Sequence, residues 1–109
     1  MPYTVKKLYT GQPGTGATTL YTAPASTTTI IKNIIICNTT ATAATLTLSL
    51  VPSGSAAGTT NRIMSALSIN ANDTVAMDLS GVLATGDFIS GLQGTSSALT
   101  VHIAGVEVT

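Results

Sequence analysis

Charge is what this sequence most lacks. Four Lys or Arg and four Asp or Glu give a formal net charge of zero, and only 7% of the 109 residues are charged, against roughly 25% in an ordinary soluble domain. A disordered acidic or basic tail needs charge and is excluded. Nucleic-acid binding through phosphate neutralisation needs a basic surface, and Lys6, Lys7, Lys32 and Arg62 are scattered. There is no tryptophan, and aromatics are 4% of the chain, so only Tyr3, Tyr9 and Tyr21 could supply the exposed rings on which a carbohydrate module stacks sugars. The single cysteine, Cys37, cannot form an internal disulfide, which fits synthesis in a reducing cytosol. No apolar run follows the lysines of the N-terminus, so a secretory signal is not expected. The most apolar stretch, 30–37, is short and holds Lys32 and Asn33, so no membrane-spanning helix is expected. The surface-helix formers Glu, Lys and Gln are nearly absent.

Thr, Ala, Ser and Gly fill the gap, and Thr alone is roughly a fifth of the chain, far above average usage. The apolar period is two. Thr18–Thr22 is a short strand stopped by Pro24; Thr28–Cys37 is a long β-branched run; Leu46, Leu48 and Leu50 alternate with Thr45, Thr47 and Ser49. Further strands are expected over 62–69, with Ile63, Leu67 and Ile69 inward, over 74–79, over 87–92 and over 97–108. In the last, Leu99, Val101 and Ile103 share a face while Val106 and Val108 have the opposite parity, which predicts a β-bulge at Gly105. The sequence therefore predicts an all-β chain: a single antiparallel β-sandwich, jelly-roll-like, of about eight strands. The expected core is Leu20, Ile31, Ile35, Leu46, Leu48, Leu50, Ile63, Leu67, Ile69, Val75, Met77, Leu79, Phe88, Leu99, Val101 and Ile103.

Residues 1–16 read as an N-terminal arm and hinge, and 17–109 as the sandwich domain. Tyr3 and Tyr9 and the adjacent Lys6 and Lys7 precede a bend, 11–16, with three glycines and a proline. Tyrosine favours interfaces and a glycine hinge suits an arm that docks elsewhere; the simpler alternative is an edge strand on the home sheet. Thr28–Cys37 is apolar on both parities, which requires a cover on each face. Either the chain itself or a neighbouring subunit supplies it. The candidate interface residues are therefore Tyr3, Lys6, Lys7, Tyr9, Ile30, Ile34 and Ile36.

Gly11–Thr18 has P-loop glycine spacing, but Ala17 stands where the phosphate-binding lysine belongs. His102 is the lone histidine and Cys37 the lone cysteine, so transition-metal ligands are lacking. No Gly-x-Ser-x-Gly motif accompanies the serines. Asp73 and Asp87 sit in turn sequences, where such side chains cap backbone. Neither enzyme activity nor a cofactor is expected.

Several pieces carry a family likeness: Thr19-Leu20-Tyr21-Thr22-Ala23-Pro24-Ala25, Thr29-Ile30-Ile31-Lys32-Asn33-Ile34, Asn38-Thr39-Thr40, Leu67 with Asn70–Asp73, Gly86-Asp87-Phe88-Ile89, and Gly105-Val106-Glu107-Val108. From residue 17 onward their order resembles the small β-sandwich virion proteins of tailed bacteriophages. The resemblance implies a non-enzymatic structural protein, foremost a capsid decoration or cement protein. Its expected partners are the major capsid protein or other virion proteins and further copies of itself, as a dimer or trimer, with neither nucleic acid nor membrane. The expected location is the virion, assembled in the host cytoplasm. A tail or head–tail junction subunit is the alternative within that class, and a soluble carbohydrate-binding module the alternative outside it.

Overall fold

A computed structural model describes residues 3–109. The strands are β1 (Tyr3–Gly11), β2 (Thr18–Thr22), β3 (Thr28–Asn38), β4 (Ala44–Val51), β5 (Arg62–Ile69), β6 (Thr74–Leu83), β7 (Phe88–Gln93) and β8 (Leu99–Val108). They form two four-stranded sheets, ordered β1-β8-β3-β6 and β2-β7-β4-β5, with every pairing antiparallel. The pairs β1·β8, β2·β7, β3·β6 and β4·β5 are those of one long hairpin whose rungs drop alternately into the two sheets, which is the eight-stranded jelly roll. The sandwich expected from period-two patterning is thus the observed fold.

The segment expected to be an arm is β1, the edge strand of the first sheet, hydrogen-bonded along β8 from Tyr3↔Val108 to Gly11↔Val101. Backbone pairing accounts for its order without a docking partner. Residues 1 and 2 of that expected arm lie outside the described residues. The bend after β1 is clamped. Gln93, fully buried at the end of β7, donates its side-chain N–H to the Pro13 carbonyl, and its backbone N–H donates to the Gly14 carbonyl at 3.0 Å. Its Oε1 accepts from the Ala98 and Leu99 N–H groups at 3.1 and 2.7 Å. One amide thus fixes both the crossing between sheets and the entry to β8.

Bulges decide which residues face inward. Between Ile31 and Asn33, β3 advances two residues while β8 advances one, from Gly105 to Ala104, so Lys32 is the extra residue. The inward parity changes there, from Thr29 and Ile31 to Ile34, Ile36 and Asn38. This corrects two expectations. Ile35 is exposed on the outer face and not in the core, while Ile34 and Ile36 are fully buried in it. The second cover that Thr28–Cys37 seemed to need is largely a change of face within one strand. Burying each of these isoleucines stabilises the fold by about 2 kcal/mol.

The bulge expected at Gly105 lies instead in its neighbours. β8 keeps one inward parity from Leu99 to Glu107, and the extra residues are Lys32 in β3 and Leu8 in β1, on either side. A Cβ on Gly105 would stand 2.3 Å from the Ile30 carbonyl oxygen and 2.9 Å from Leu8 Cδ1. Glycine is therefore needed for close approach of strands. β5 departs in the same way. Ala66 has a left-handed φ of 50°, and its N–H donates to Thr47 Oγ1 at 3.0 Å. The register slips there, so Met64 faces the core and Ile63 is exposed, contrary to simple alternation.

Of the remaining expected core, Ile31, Leu46, Leu48, Ile69, Leu99, Val101 and Ile103 are buried, and Leu20, Leu50, Leu67, Val75, Met77 and Leu79 are half-buried against them; Phe88 is the exception, half-buried at the start of β7 on the parity opposite to buried Ile89. Asn38 is also buried, its amide donating to the Thr42 and Ile69 carbonyls at 2.8 and 3.0 Å.

Candidate functional site

The outer face of the first sheet carries an aliphatic row built by register. Val5 pairs with Val106, Val106 with Ile30, and Ile30 with Val82, so one rung crosses all four strands with a β-branched aliphatic at each position. Strands about 4.8 Å apart make this rung about 14 Å long. The edges are open: Val5 is 85% and Val82 61% exposed. Tyr3, 72% exposed, pairs with Val108 one rung further on. Valine and isoleucine form these strands readily because their branched Cβ suits the pleat, yet nothing among the described residues covers their exposed edges here.

The expected interface residues divide accordingly. Tyr3, Lys7 and Ile30 belong to this outer face. Ile34 and Ile36 are core, and Tyr9 packs against the core, where burial raises its phenol pKa. Lys6 turns to the inner edge, its Nζ 3.4 Å from Glu107 Oε2. Val5, Val82 and Val106 were not singled out from sequence. Opposite parity in Val106 and Val108 was the available signal, and it becomes informative only once register aligns it with β1 and β3.

Glu107 is buried at this end of the sandwich and has two side-chain partners, Tyr21 and Lys6. Tyr21 of the opposite sheet donates its phenol hydrogen to Glu107 Oε2, Lys6 donates from the edge, and Thr29 Oγ1 lies 2.8 Å from the Tyr21 oxygen. Because the phenol hydrogen is given to the carboxylate, Thr29 is the donor to Tyr21. A buried carboxylate is tolerated only with such partners. Burial, then the hydrogen bond to Glu107, pushes the Tyr21 phenol from 10.0 up to about 12. Its native pKa is raised, so its contribution to stability is complete below pH 10 and is lost as pH climbs to about 12. Urea midpoints at about pH 9 and about pH 11 should therefore fall for the wild type and fall less for Tyr21→Phe. Equal slopes in the two proteins would show that the phenol does not carry the alkaline loss.

Asp87, Asp73 and His102 have structural partners. Asp87 accepts from the Ser53 and Ala84 N–H groups at 2.9 and 3.0 Å, and Asp73 from Thr74 N–H at 2.9 Å. His102 Nδ1 lies 3.4 Å from Thr10 Oγ1 across the β1–β8 pair. No group of three His, Cys, Asp or Glu able to hold a metal occurs among the described residues.

The sequence matches no protein-family model and no curated protein. Solved structures are similar in fold. A chain in the structure of infectious bursal disease virus, Gx strain, matches 98% of this chain with a TM-score of 0.58 at 15% identity, and this chain spans 33% of its length. A chain from the Gt strain of that virus matches 96% with a TM-score of 0.45 at 12% identity, over 31% of its own length. In the tobacco streak virus coat protein dimer, the corresponding figures are 97%, 0.40 and 12%, over 82% of that chain. At 15% identity the likeness to the Gx-strain chain establishes the fold alone: this chain is an eight-stranded antiparallel jelly roll.

Proposed function

We propose that this chain is a non-enzymatic structural protein of a virus particle, and specifically a capsid decoration or cement protein of a tailed bacteriophage that binds the capsid exterior and stabilises it. The observation that carries the reading is the uncovered row Val5–Val106–Ile30–Val82. A contiguous aliphatic band on an otherwise hydroxyl-rich face marks a protein-binding surface. The low charge of the chain supports it, since little repulsion opposes assembly. The likeness of fold to the infectious bursal disease virus chain supports a virion as the setting. On this reading the protein is located in the virion, and its partners are the major capsid protein and further copies of itself.

Changing Val5 and Val82 together to Asp tests this. Both side chains are largely exposed, so the folding midpoint should move little, while co-sedimentation with purified capsids should be lost. A variant that still attaches like the wild type would sink the reading of this face. Quantitative mass spectrometry of purified particles separates the two virion roles: decoration requires copies across the lattice, and a tail or head–tail junction subunit only a ring.

A further inference from the structure

The outer face of the second sheet holds a small cavity, away from the aliphatic row, with a few polar groups set among apolar ones. Register again builds it: Ser90 of β7 pairs with Ser49 of β4, and Ser49 with Arg62 of β5. The loop 52–61 folds over this rung, and Ala57 and Gly58 close a cavity of about 170 Å³ whose floor is the two serines and whose wall includes Arg62 and Leu92. The loop is braced from within, as Asn61 Oδ1 accepts from Gly58 N–H and its amide donates to the Ala56 carbonyl, each at 3.0 Å.

The floor is polar without being satisfied by protein. Ser49 and Ser90 are only 3% and 5% exposed. The cavity's side-chain hydrogen bonds run through Thr47, which accepts from Ala66 N–H, and through Arg62 Nη1, which donates to Ser65 Oγ at 3.3 Å. Neither serine hydroxyl has a hydrogen-bond partner among the described residues, where no sealed side-chain oxygen lacks one. Both hydroxyls therefore open into the cavity. Arg62 has no carboxylate partner among the described residues, where the one ion pair is Lys6–Glu107, and no acidic residue lines the cavity. Four of its five N–H donors remain for a ligand.

We infer that this cavity binds a single carboxylate group, on a molecule no larger than a monosaccharide acid. A planar guanidinium matches a planar carboxylate bidentately, and one guanidinium balances one negative charge. The serine hydroxyls donate to the same oxygens, and Leu92 and Ala57 take the aliphatic remainder. The dianionic phosphate is a poorer match to one positive charge, and the volume is below that of a drug-sized site. The inference does not rest on the virion reading.

The test is an amide-resolved NMR titration of the full chain at constant ionic strength with acetate, glucuronate, glucose and inorganic phosphate. Acetate and glucuronate should give saturable shifts at Gly58, Gly91 and Arg62 Nε, and glucose none. Arg62→Gln, an exposed substitution, should weaken binding at least tenfold. Ser49→Val, which suits a strand and fills the cavity, should abolish it while keeping the folded spectrum. Unsaturable shifts shared by Lys6, Lys7, Lys32 and Arg62, tighter binding of phosphate than of either carboxylate, or unchanged affinity in Arg62→Gln would each overturn it.

Discussion

Gly105→Val should yield no cooperatively folded protein. The new Cβ would lie 2.3 Å from a backbone oxygen of β3, and side-chain rotation cannot relieve that contact. Strand β8 must move away from β3, or β3 from its bulge, and either motion breaks the ladder at the centre of the first sheet. Leu8 Cδ1, at 2.9 Å on the other side, blocks retreat towards β1. Overpacking of this kind costs about 4 kcal/mol or more, a large part of a domain's total stability of ~5–15 kcal/mol. Gly105→Ala carries the same Cβ with less bulk, and should fold with a thermal midpoint lower by ten degrees or more, on the order of 2 kcal/mol. Circular dichroism during thermal unfolding reads both. A wild-type midpoint for the alanine variant would mean that the strands part freely at this level.

The second large effect is expected at Gln93. Leucine is close to it in size, so Gln93→Leu removes hydrogen bonds while leaving little void. Three buried groups then lose their partner: the Pro13 carbonyl and the N–H groups of Ala98 and Leu99. Each unsatisfied group costs roughly 1–3 kcal/mol, so the total should reach about 4 kcal/mol. Gln93→Glu separates the parts, because a carboxylate can still accept from Ala98 and Leu99 but cannot donate to Pro13. Denaturant titration of both variants, with hydrogen exchange at Ala98 and Leu99, measures the effect. If the leucine variant loses less than about 1 kcal/mol, water replaces the amide and the clamp is not structural.

Strand existence and fold class were readable because hydroxyl and aliphatic residues alternate and because Gly, Pro, Asn and Asp punctuate the strands. Facing was harder. Two misplaced core residues follow a bulge: Ile35 after Lys32, and Ile63 across the slip at Ala66. A bulge inserts one residue without a composition of its own, so strict alternation assigns all residues beyond it to the wrong face. The phase change near Gly105 was visible, but its cause lies in β1 and β3, strands more than seventy residues away in sequence. The outer-face row depends on register among four strands, and Gln93 looks like any polar residue at a strand end until its amide meets Pro13. The serine floor of the cavity was hidden for the same reason, since Ser49 and Ser90 lie in alternating strands that place serines on solvent faces by default.

The position of β8 between β1 and β3 has a consequence for biosynthesis. The last strand of the domain to be translated is an interior strand of its sheet, and the first strand pairs with nothing else. While residues 99–108 are still inside the ribosome, β1 has no ladder, and Ile31, Ile34 and Ile36 lack the neighbouring strand that Val101 and Ile103 belong to. Closing the sheet across nearly the whole chain length is a slow, non-local step. A nascent chain stalled before residue 99 should therefore remain protease-sensitive and available to chaperones, and folding should commit within the few seconds after β8 emerges.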